Sequence, residues 1–80
     1  MPGMSSGDIS NWIRIRIAAD IDKDPSEVDT EVTFDRIGID SLALLGVLGD
    51  LAAELDIEIE TSVLFDHPTI ASLSSHLGSD

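Results

Sequence analysis

Leu45, Leu48, Leu51 and Leu55 fall three or four residues apart between Ser41 and Leu55, the spacing that lines up side chains on one face of an α-helix. A second stripe runs over residues 6–21, where Ile9, Ile13, Ile17 and Ile21 recur every four positions with Trp12 beside them and Ser6 as the expected N-cap. The alternation in Trp12-Ile13-Arg14-Ile15-Arg16-Ile17 would also suit an edge strand. Helix is the better reading, because the four-residue spacing outlasts the alternation, Ala18 and Ala19 favour helix, and no second strong strand offers itself as a partner. Ile15 is then left pointing outward.

The remaining segments are shorter. Residues 22–39 are rich in acids and turn formers and too long for a bare connection, so Val28, Val32, Phe34 and Ile37 are expected to pin an ordered loop to the core, with a short turn near Pro25. Ile57 and Ile59 are expected to tuck under an extended connector. Thr61 or Ser62 would cap a single turn through Val63, Leu64 and Phe65. After Pro68, Thr69 caps a last helix marked by Ile70, Leu73 and Leu77. Helices that brief are unstable in isolation and must dock on the longer pair. The expected fold is all-α, a small four-helix bundle of three main helices and one short one, with no internal repeat and no second domain.

Eighty residues make one domain, and a chain this short buries only about 60% of the surface its unfolded form exposes, leaving little room for an enclosed active site. With no cysteine, disulfides, thiolate nucleophiles and Cys-ligated zinc are all excluded. Sixteen acidic against four basic residues give a formal charge of −12. That charge repels nucleic acid and anionic membranes, steers toward basic protein surfaces and favours a monomer. Its self-repulsion should be relieved by moderate salt. Residues 1–8 lack the basic start and apolar centre of a secretion signal, and no run reaches transmembrane length, so a cytoplasmic location is expected.

Three arrangements could carry chemistry. Asp20, Asp22, Asp24 and Glu31 match positions 1, 3, 5 and 12 of an EF-hand loop. Position 6, which needs glycine for a sharp turn, is Pro25, and Glu27 stands where an apolar residue is usual, so an acidic solvated loop is the better reading. Ser41, His67 and nearby aspartates could be drawn as a hydrolytic triad, but the serine lacks the Gly-x-Ser-x-Gly elbow. His67 reads as a surface-loop residue, His76 as solvent-facing near the C-terminus, and two histidines without cysteines make a poor metal site. Finally, Gly38-Ile39-Asp40-Ser41-Leu42 places a hydroxyl where loop gives way to helix. An anion attached there would meet unsatisfied N–H groups and the positive end of the helix dipole. Capping alone would equally explain Asp40-Ser41.

The wider pattern resembles the phosphopantetheine-dependent acyl carrier domains, from about Ile9 to Leu77. The matching pieces are Trp12-Ile13 with Ile17-Ala18, then Phe34 ahead of Gly38-Ile39-Asp40-Ser41-Leu42, then Phe65-Asp66-His67-Pro68-Thr69 before the final helix. Phe-Asp-His-Pro-Thr is most similar to carriers of polyketide synthases, and Asp40 before the serine, where peptidyl carriers more often have histidine, leans the same way. The resemblance implies a flexible segment 1–8, a carrier domain 9–77 and a tail 78–80. It implies that Ser41 receives 4′-phosphopantetheine from coenzyme A through a separate phosphopantetheinyl transferase, with Asp40 and Leu42 recognised by that enzyme. It implies no catalysis by the chain itself, but transport of acyl thioesters between partners such as an acyltransferase, a ketosynthase or an acyl- or aminoacyl-activating ligase. A peptidyl or aminoacyl carrier, or a noncatalytic acidic interaction module, is the alternative.

The chain departs from the family pattern on its second long helix, where Ala43, Gly46, Gly49, Ala52 and Ala53 form a stripe of small residues instead of acidic ones. This helix and the Val63 to Phe65 turn are expected to form most of the docking surface, with Ala43, Gly46, Val47, Gly49, Val63 and Leu64 as the partner-binding residues.

Overall fold

The Ser5 hydroxyl accepts the Asp8 amide N–H at 3.1 Å and starts α1, Ser6–Asp20. In the computed structural model, which describes residues 4–78, α1 buries Ile9, Ile13, Ile17 and Ala18 and leaves Ile15 exposed. The cap is Ser5, one residue ahead of the serine expected. Residues 6–8, expected within a flexible segment, form the first turn of the helix; residues 1–3 and 79–80 of the expected flexible segment and tail lie outside the described residues.

Asp22 takes a left-handed conformation (φ 59°) after α1, and the Lys23 N–H returns to the Ala18 carbonyl at 2.9 Å. Aspartate tolerates that region better than most residues, which lets the helix end without glycine. A 3₁₀ turn follows at Pro25–Glu27, held by a capping box. The Asp24 carboxylate accepts the Ser26 N–H and hydroxyl at 2.9 and 2.8 Å, and those bonds, the backbone one foremost, hold its pKa below the usual 3.8.

Next come α2 at Phe34–Ile37, a short helix within the segment expected to be an ordered loop, the long α3 at Ser41–Leu55 and the short α4 at Val63–Asp66. The last element is α5, Ile70–Leu77, capped by Thr69, whose hydroxyl accepts the Ser72 N–H at 3.0 Å. No strand forms among the described residues; a lone antiparallel bridge joins Thr33 to Thr69. Beside it the Phe34 N–H donates to the Pro68 carbonyl at 3.1 Å and the Ala71 N–H to the Thr30 carbonyl at 2.9 Å. This clasp ties the middle of the chain to its last helix.

The core lies where α1 packs on α5 and α3. Leu51, Ile70 and Leu73 join the α1 isoleucines there, with Phe34 supplied by α2 and Val28 and Ile39 by the connections. Burying each such side chain stabilises by about 1.5–3 kcal/mol. Ser74 is buried among them at 1% exposure with its hydroxyl unpartnered among the described residues. On the surface, Arg16 reaches Asp50 of α3 at 2.6 Å and sits over the Trp12 ring, 5.1 Å from its centre. Exposed pairs of this kind contribute at most about 1 kcal/mol.

Two sequence expectations need correction. The buried face of α3 is Leu44, Val47, Leu48 and Leu51, and Leu45 is 40% exposed. Both sets obey helical spacing, because α3 is apolar on more than one side, so periodicity did not fix its rotation about its own axis. Ile57 is 45% exposed, not tucked away. Its N–H is bound to the Ala52 carbonyl in the turn that ends α3, so the connector leading to the half-buried Ile59 begins only after it.

Candidate functional site

Gly38 ends α2 with φ 103°, its N–H reaching the Phe34 carbonyl at 3.3 Å. A side chain is rarely tolerated at that φ, and glycine makes the reversal without strain. The reversal drops Ile39 into the core at 7% exposure and brings Asp40 to the N-cap of α3. Its carboxylate accepts the Ala43 N–H at 2.8 Å and its carbonyl accepts the Leu44 N–H at 3.0 Å. Ser41 is therefore the first residue of α3, exposed, and beside it Leu42 is 80% exposed.

Ser41 also lines an open groove of about 500 Å³ between α2, the start of α3 and α4. Its walls are Phe34, Ile39, Leu44, Leu45, Leu64, Phe65 and Pro68, with Asp35, Ser41 and Thr61 as the polar members. Phe65 stands on the rim at 88% exposure. The clasp positions this wall, since Phe34 and Pro68 are its two bonded members.

The electrostatics decide what the site can hold. The amide N–H groups of Ser41 and Leu42 have no protein partner among the described residues, and with the helix dipole they favour an anion at the serine. None of the described residues lining the groove is a cation, and the carboxylates of Asp35 in the groove and of Asp40 at the N-cap oppose a second negative charge. A phosphate would therefore be retained by an ester bond to Ser41 more than by binding, and the apolar groove beside it suits an aliphatic or aromatic chain. The residues thus fit a covalently held phosphate arm.

Among the described residues no side chain is hydrogen-bonded to the Ser41 hydroxyl. His67 directs Nδ1 to the Ser72 hydroxyl at 2.7 Å and stacks on His76. The triad drawn from the sequence is not assembled. The acidic loop is likewise arranged for its own backbone: Asp24 is spent on Ser26, and Asp29 accepts the Glu31 N–H at 2.9 Å.

The residues expected to face partners divide into two groups. Gly46 and Gly49 are exposed on α3, and a Cβ added to either would meet nothing within 4 Å. Val47 is a correction: at 2% exposure it belongs to the core, as the rotation of α3 requires. Ala43, Val63 and Leu64 are half-buried and pack against the core, with Leu64 turning one side to the groove. Phe65, at the end of the Val63 to Phe65 turn expected to contribute to the docking surface, is exposed. Leu45 was missed, although it lies three residues after the exposed Leu42, an outward spacing legible beforehand.

The sequence pattern of the family described as "Phosphopantetheine attachment site" matches residues 11–77. A non-reducing polyketide synthase of Cladonia grayi is 37% identical over 57 residues, which are 71% of this chain and 3% of that protein. The chain thus spans a small fraction of the length of the curated relatives it matches. Among solved structures, an acyl carrier protein from Anabaena sp. PCC 7120 with a variant phosphopantetheinylation-site sequence is 35% identical, with a TM-score of 0.87 over 98% of this chain and 89% of that one. A free-standing peptidyl carrier protein from an uncharacterized Acinetobacter baumannii secondary metabolic pathway is 33% identical, with a TM-score of 0.83 over 91% of each chain.

Proposed function

Because this chain belongs to the phosphopantetheine-attachment family of carrier domains, which hold 4′-phosphopantetheine covalently and are not themselves catalytic, we propose that Ser41 is the attachment point and that the cargo is an acyl intermediate of polyketide assembly. The observation that carries the reading is the place of Ser41. Its hydroxyl is exposed at the head of α3, beside two free amide N–H groups and at the mouth of an apolar groove. When bound, the arm supplies a thiol that holds the cargo as a thioester.

The chain's own residues set the stage. Gly38 makes the reversal, Asp40 caps the helix, and the absence of a base at Ser41 leaves its activation to a phosphopantetheinyl transferase. Asp40 and Leu42, exposed on either side, are the residues that such an enzyme would meet first. Carrier domains of polyketide synthases work with transferases, acyltransferases and ketosynthases, and an acidic chain steers toward basic surfaces on them.

Whole-protein mass after incubation with coenzyme A and a broad-specificity transferase tests the attachment. One phosphopantetheinyl increment is expected on the parent chain and none on Ser41→Ala. A parent chain of unchanged mass, or a modified Ser41→Ala, refutes it. The peptidyl carrier of known structure supports a second reading, in which an aminoacyl group is the cargo. Offering the modified chain to a malonyl-transferring acyltransferase and to an amino-acid-adenylating enzyme separates the two, with acyl loading expected.

A further inference from the structure

The rings of His67 and His76 stack with centres 4.3 Å apart and planes inclined by 20°. His67 belongs to the connection between α4 and α5, and its N–H caps α4 at the Val63 carbonyl, 2.8 Å away. His76 lies in the last turn of α5. The stack therefore fastens the end of α5 back onto the segment that precedes it, and the 2.7 Å bond from His67 Nδ1 to the Ser72 hydroxyl fixes the orientation of one ring.

We propose that this stack is a proton-sensitive latch, closed when at most one ring is charged and opened when both are. Two neutral imidazoles stack favourably, and one imidazolium over a neutral ring adds a cation–π attraction. A singly protonated His67 also keeps its bond, since Nδ1–H can donate to Ser72. Two imidazolium charges this close repel each other, and histidine is the side chain that changes charge between about pH 5 and 8.

Among the described residues neither ring has a carboxylate within ion-pair distance. Asp66, at the end of α4, is exposed, and α5 has no ionisable side chain besides His76. On α1, which packs against α5, the ionisable residues are Asp8, Arg14, Arg16 and Asp20; Arg14 is bonded to Asn11 and Arg16 to Asp50. The latch bears on the groove through the chain itself. Pro68 directly follows His67, and its carbonyl holds Phe34, the other bonded member of the groove wall.

The inference does not depend on attachment at Ser41, so the unmodified chain suffices for its test. Acidification also lowers the net negative charge of the whole molecule and with it the self-repulsion, so the readout must be local. By NMR, cross-peaks between the two rings are expected at about pH 7.5 and lost near pH 5. Amide-exchange protection of residues 75–78, normalised to α1, should fall about fivefold over that range, the ratio that the roughly 1 kcal/mol repulsion of two such charges in water represents. In His76→Gln the normalised protection should not respond to pH. Rings still in contact near pH 5, protection unchanged in the parent, or an equal fall in the variant would each overturn the latch.

Discussion

Replacing Asp40 separates two things it does at once. Its carboxylate oxygen accepts the Ala43 N–H at 2.8 Å, and its charge faces the positive end of the α3 dipole. Loss of an N-cap side chain costs about 1 kcal/mol, and loss of a favourable charge at a helix start about 0.3–1 kcal/mol. Asp40→Ala removes both, but it also takes one negative charge from a chain at −12, which offsets the lost dipole attraction and leaves a net cost of about 1 kcal/mol. Against the roughly 4–12 kcal/mol expected of an 80-residue domain, that is substantial, and it lowers Tm by about 4–8 °C. Asp40→Asn keeps an oxygen acceptor and removes one negative charge from a chain at −12, so relief of self-repulsion offsets the lost dipole attraction. Its stability should lie within about 0.5 kcal/mol of the parent. Urea and thermal unfolding followed by circular dichroism measure all three chains. An Asp40→Asn chain as unstable as Asp40→Ala would refute capping as the main contribution, and an Asp40→Ala chain as stable as the parent would refute both contributions. Transferase rates at a temperature where all three are folded then isolate recognition, expected to be slower for Asp40→Asn despite intact stability.

Three further outcomes follow from the geometry. Gly49→Ala should stabilise by about 0.5–1 kcal/mol, since the added Cβ meets nothing and alanine favours helix; Gly38→Ala, equally unobstructed but at φ 103°, should destabilise by about 1–2 kcal/mol in the same denaturation assay. Ser74→Ala removes a buried hydroxyl that has no partner among the described residues and should raise stability by about 1 kcal/mol, with no loss of α5 helicity. Asp24 has a folded pKa below 3.8, so its contribution is fully present above the unfolded value near 3.9 and is lost as pH falls through the lower folded one. Asp24→Asn should accordingly flatten the stability profile below about pH 4.

The parts of the fold legible in the sequence were those with long periodicity or distinctive punctuation. Ile9, Ile13 and Ile17 have polar or exposed neighbours on the outer side of α1, so their stripe named the buried face correctly. On α3 leucine and valine occupy several faces, and only tertiary contact with α1 chooses Leu44 and Val47 over Leu45. At the candidate site, Asp40 announced a cap in local terms, and the structure has it, together with a left-handed reversal at Gly38. The groove was illegible, because it is assembled from α2, α3 and α4, two of which are four residues long. The contact between His67 and His76 depends on the path of the chain around Pro68, which spacing does not encode.

The clasp between residues 30–34 and 68–71 bears on how the chain matures at the ribosome. The amides of Phe34 and Ala71 find their carbonyls only across the sequence, so the segment before Ser41 has no finished resting place until nearly the whole domain has emerged. Synthesis at about 5–20 residues per second leaves that segment waiting some seconds with its Phe34 N–H and Thr30 carbonyl in water. A nascent chain arrested before Ala71 should accordingly yield to protease in this stretch, and become resistant once the final helix clears the exit tunnel.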